Sequence, residues 1–71
     1  MTKKQTKAVI RAIEMRLMEL EISINRRASK MQKLTIGEYD YSILKKYNTS
    51  SKEEHIILTG ARKKLITTIT L

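Results

Sequence analysis

The stretch YNTSSKEE, Tyr47 to Glu54, sets the number of helices in this chain. Asn48 and Thr49 are poor helix formers and end one apolar-periodic segment. Ser50 with Glu53, or Ser51 with Glu54, then has the spacing of a capping box. In that motif a hydroxyl and a carboxylate three residues apart satisfy orphan N–H groups at a helix start. Thr2 with Gln5 and Thr35 with Glu38 mark two further starts. Proline is absent and glycine occurs twice, so little else interrupts a helical pattern. The expected fold is all-α: a long N-terminal helix over about residues 3–33, then shorter helices over about 36–47 and 51–67. The two shorter helices pack back along the first in a coiled-coil-like hairpin. The ending LITTITL, Leu65 to Leu71, is β-branched and disfavours helix, which leaves residues 68–71 as a tail.

Upstream, Ile10, Ile13, Leu17, Leu20 and Ile24 are spaced by three and four, a heptad seam. A strict repeat puts Arg27 next. A step of four instead reaches Ala28 and then Met31, a stutter toward the period of a straight helix that spares the arginine. The inner face of the second helix reads Ile36, Tyr39, Ile43 and Tyr47, with Leu44 beside it; that of the third reads Leu58, Ala61, Leu65 and Ile69. Met15, Met18 and Ile22 fall opposite the main stripe of the first helix, which is therefore apolar on two faces. A chain of 71 residues buries only about 60% of its unfolded surface, and without cysteine it has no disulfide to add. A second copy, or another protein, is expected to cover the methionine face, and the dimer is the favoured form.

Fifteen Lys and Arg against seven Asp and Glu give a formal charge of +8, nine of the basic residues lying in positions 1–35. Such an excess points to an anionic partner. Arg26, Arg27, Lys30 and Lys33 share a flank of the first helix with Arg16 and Glu19, and they are the expected phosphate contacts. Arg62, Lys63 and Lys64 support them from the third helix, and Lys45-Lys46 close the second. A helix-turn-helix has suitable lengths but the wrong chemistry: Lys52-Glu53-Glu54-His55 would set two carboxylates against phosphate, and the turn lacks glycine. Of the tyrosines, Tyr41 faces outward and could stack on a base, while Tyr39 and Tyr47 belong to the inner stripe.

Catalysis has little to draw on. His55 is the single histidine, there is no Cys, and no glycine-rich phosphate loop appears, so no enzyme and no cofactor are expected. Glu38 and Asp40 read as a capped first turn rather than a metal pair. No run approaches the ~20 apolar residues of a membrane span, and the charged N-terminus does not read as a signal peptide. The cytoplasm is the expected location. The leading functional expectation is a non-enzymatic nucleic-acid-binding protein in a regulatory or accessory role. The alternative is an adaptor or inhibitor that docks helix 1 on a partner through Met15, Met18 and Ile22.

Overall fold

The computed structural model describes residues 2–35 and 37–70, with the backbone alone at Thr70. They form two helices, α1 over Lys3–Gln32 and α2 over Tyr39–Thr70, packed antiparallel in a hairpin of 50 × 14 × 14 Å. Of the three expected starts, one caps a helix. Thr2 Oγ1 accepts from the Gln5 amide at 3.1 Å, and the Gln5 side chain accepts from the Thr2 amide at 2.9 Å. Thr35 and Glu38 instead stand in the connection, where the Glu38 amide donates to the Thr35 carbonyl at 3.1 Å. Ile36 and Leu71 lie outside the described residues.

The expected break at Asn48-Thr49 is absent: α2 is one helix of 32 residues, not two. Two local facts explain it. The Asn48 side chain turns toward α1 and donates to the Ile24 carbonyl at 3.2 Å, so it does not compete with its own backbone. Thr49 Oγ1 donates back to the Lys45 carbonyl at 3.0 Å, which satisfies the hydroxyl within the helix. The same bond recurs within the helix at the β-branched end, where Thr67 donates to the Lys63 carbonyl and Thr68 to the Lys64 carbonyl, each at 2.9 Å. The tail expected at residues 68–71 is therefore helical as far as Thr70.

The stutter is absent too. Thr6, Ile10, Ile13, Leu17, Leu20, Ile24, Arg27 and Met31 are the buried or half-buried residues of α1, together with Ser23 beside them; Ala28 is exposed. This is an uninterrupted heptad that runs through Arg27. Its partner on α2 is Tyr41, Leu44, Asn48, Ser51, His55, Leu58, Arg62, Leu65 and Ile69, again in steps of three and four. Tyr39 and Tyr47, expected inside, are 78% and 56% exposed, and the inward tyrosine is Tyr41. The core is thin: among the described residues Ile10 and Leu20 are the buried apolar side chains.

Gly37 turns the chain with φ +101°, a conformation that costs L side chains roughly 1–2 kcal/mol. Gly60 sits mid-helix with open space around its Cα. Gly37→Ala should therefore destabilise the hairpin by about 1–2 kcal/mol. Gly60→Ala should stabilise it by about 0.5–1 kcal/mol. Paired thermal melts check both, and equal shifts of one sign would contradict the assignment of the turn. No helix among the described residues is long and apolar enough to cross a membrane.

Candidate nucleic-acid interface

The antiparallel register follows from the contacts between the helices. Glu14 pairs with Arg62 at 3.7 Å, and Arg16 Nε with Glu54 at 2.6 Å. His55 Nε2 lies 3.0 Å from Glu21 Oε1, and Arg27 donates to Ser51 Oγ at 2.9 Å. Residues whose numbers sum to about 75 thus stand level with each other. Arg11 is level with Lys63, and Lys4 with the end of α2.

This register sorts the charge into three zones. Five of the seven acids, Glu14, Glu19, Glu21, Glu53 and Glu54, occupy the middle of the hairpin. Three of them are in ion pairs there, Arg16 with Glu19 and Glu54 and Arg62 with Glu14, and Glu21 is within hydrogen-bond distance of His55. The turn end carries Arg26, Arg27, Lys30, Lys33, Lys45 and Lys46 against Glu38 and Asp40. The open end gathers Lys3, Lys4, Lys7, Arg11, Arg62, Lys63 and Lys64 with no acid among residues 2–12 or 61–70. All seven except Arg62 are exposed.

The expected phosphate contacts are divided by this arrangement. Arg26, Lys30 and Lys33 are exposed at the turn end, where Lys30, Lys33 and Asp40 line one shallow groove with Ile43 and Leu44. Arg27 is not on that flank. It is half-buried in the seam, donating to Ser51 Oγ and to Asn48 Oδ1 (3.4 Å), with its guanidinium carbon 5.8 Å from the centre of the Tyr47 ring. Arg62 is likewise held in the seam by Glu14. Lys63 and Lys64 are exposed about 22–24 Å along the axis from Asn48, so they form no common surface with the turn-end cluster within one chain. The open-end residues Lys3, Lys4, Lys7 and Arg11 were missed by linear reading. The available signal was topological: any hairpin returns the C-terminal basic run to the N-terminal one.

Arg16 and Glu54 are the strongest electrostatic pair. The hydrogen bond from Arg16 holds the Glu54 carboxyl below the ordinary glutamate range, and the charge of Arg16 adds to this; Arg16 is held the more firmly protonated by Glu54 and then by Glu19. A depressed carboxyl stabilises the fold above its unfolded pKa, and the contribution is lost as pH falls through the folded value. Glu54→Gln should therefore flatten the loss of thermal stability in acid below the ordinary glutamate range. Melts at neutral and acid pH measure this, and an unchanged acid limb would show that the pair does not persist in solution.

The opposite, solvent-facing side of α1 carries Met15, Met18 and Ile22, which are 61%, 62% and 52% exposed. No known protein family, curated protein or solved structure matches the chain.

Proposed function

We propose that the protein is a non-enzymatic nucleic-acid-binding module of the cytoplasm that works as a dimer in a regulatory or accessory role, through phosphate contacts. The observation that carries this is the open end, where Lys3, Lys4, Lys7 and Arg11 of α1 and Lys63 and Lys64 of α2 are exposed with no acid among residues 2–12 or 63–70. Exposed basic side chains about one turn apart, at Lys4, Lys7 and Arg11, can follow a phosphate backbone and release its counterions on binding. Their charge is not consumed internally, because the glutamates lie in the middle zone with partners of their own.

The test is fluorescence anisotropy with labelled duplex and single-stranded oligonucleotides across a salt series. Binding that weakens linearly on a log–log plot supports the reading, and no binding at low salt overturns it. The second reading, an adaptor or inhibitor that docks α1 on another protein, is favoured by the exposure of Met15, Met18 and Ile22. A pull-down from host extract with and without nuclease separates the two. Partners released by nuclease support the first reading, and nuclease-resistant protein partners the second.

A further inference from the structure

We propose that the groove between the helices at the turn end, walled by Tyr41, is a base-binding subsite for single-stranded nucleic acid; this rests on the nucleic-acid reading above and adds base recognition to its phosphate contacts. On α2, Tyr41, Lys45, Thr49 and Lys52 follow in steps of four, four and three, so they share one stripe about 16 Å long. Met31 of α1 and Leu34 of the connection close the groove from the other side. The groove is open and measures about 560 Å³, within the usual range of small-ligand sites.

Each part of the groove matches a part of a nucleotide. Tyr41 is the inward tyrosine, yet it is only half-buried and still lines the groove. An unpaired base laid on its ring gains aromatic contact, the sequence-tolerant attraction that single strands make with aromatic platforms. The Met31 thioether and Leu34 supply apolar contact beside it. Lys45 and Lys52 stand about 10 Å apart along α2, one toward each end of the groove. Both are exposed, and neither is in an ion pair among the described residues. No acid lines the groove, so these ammonium groups are open to the phosphates on either side of the base. Thr49 Oγ1 gives its hydrogen to the Lys45 carbonyl and keeps lone pairs for a donor on the base edge.

The other basic grooves lack one of these parts. The groove of Lys30 and Lys33 contains Asp40 and no aromatic ring, and that of Lys63 and Lys64 has no aromatic ring either. Beyond Lys52 the next cleft admits Glu21, whose carboxylate repels phosphate, so the subsite ends there and holds one base with its flanking phosphates. A duplex keeps its bases paired and stacked and presents no face to Tyr41. The groove therefore selects single strands.

The test compares three labelled probes of equal length by fluorescence anisotropy across a salt series: a thymidine oligonucleotide, the same backbone with abasic sites throughout, and a duplex. The base-bearing strand should bind more tightly than the abasic one by about 5- to 150-fold, the worth of one stacked base. Tyr41→Leu should erase that difference and leave the abasic and duplex affinities unchanged, whereas Tyr41→Phe should keep it. Lys45→Ala with Lys52→Ala, both at exposed positions, should lower the single-strand salt slope by about 1.4, for two contacts at roughly 0.7 each. Equal binding of the two single strands by the native chain overturns the base subsite and leaves the phosphate reading standing. An unchanged slope for the lysine pair does the same, and neither result depends on how well the Tyr41→Leu protein folds. A Tyr41→Leu protein of native circular dichroism that still prefers the base-bearing strand also overturns the subsite. No binding to any of the three probes at low salt overturns both readings.

Discussion

Replacing Lys4, Lys7, Arg11 and Lys63 by alanine is expected to lower the salt slope of nucleic-acid binding by about 3–4 and to weaken affinity at least about a hundredfold near 0.1 M salt. The slope falls by about 0.9 for each phosphate contact removed from a duplex, so four contacts predict the change directly. Fold damage does not compete as an explanation. The four side chains are exposed, and alanine is the best helix former. Removing like charges from an end that holds no acid should if anything favour the hairpin. The matching variant at the turn, Arg26→Ala with Lys30→Ala and Lys33→Ala, is expected to lose less per residue, because Asp40 already shares the groove of Lys30 and Lys33. Circular dichroism and sedimentation of each variant accompany the titrations. A quadruple variant with an unchanged slope would remove the open end as the site.

The difference between the two variants also marks how far the sequence can be read. Helix α1 was legible to within a residue, because its apolar side of the seam is dense and its Thr2–Gln5 cap is real. Helix α2 was not legible as one element. Four of its nine seam positions, Asn48, Ser51, His55 and Arg62, are polar, so a search for apolar spacing loses the repeat where the helix in fact continues. The true inner positions Tyr41 and Asn48 then pass for outward or helix-ending residues, and Tyr39 and Tyr47 take their place. Propensity compounded the error: Asn, Thr and Ser prefer caps and turns when their side chains bond backbone groups in a non-helical geometry. Here Asn48 bonds across to α1 and Thr49 bonds back to Lys45. Ser51 accepts from Arg27. The open-end site depends on the hairpin register, which no single segment carries.

Replacing Arg27 and Asn48 together by leucine is expected to raise the thermal midpoint by roughly 8 °C or more, whereas Asn48→Ala alone should lower stability by about 1–3 kcal/mol. The asymmetry comes from burial. Asn48 is 6% exposed and serves two neighbours, accepting from Arg27 and donating to the Ile24 carbonyl. Truncating it leaves a void and a half-buried guanidinium with one fewer acceptor. Removing both polar partners leaves no stranded charge and adds apolar area at adjoining seam positions; exchanges of this kind are often stabilising by about 1–4 kcal/mol. The polar pair then has a role other than stability. Leucines at Arg27 and Asn48 would remove the polar pairing that, at this part of a thin seam, discriminates against other packings of α2 on α1. The Arg27–Asn48–Ser51 cluster instead admits one register, as a single polar seam residue does in coiled coils. That register brings Lys63 level with Arg11. The double-leucine protein should accordingly melt higher, yet show broadened or duplicated amide resonances and weaker nucleic-acid binding. A variant that melts below the native chain, or melts higher with a single sharp spectrum and undiminished binding, would show that the cluster does not hold the register.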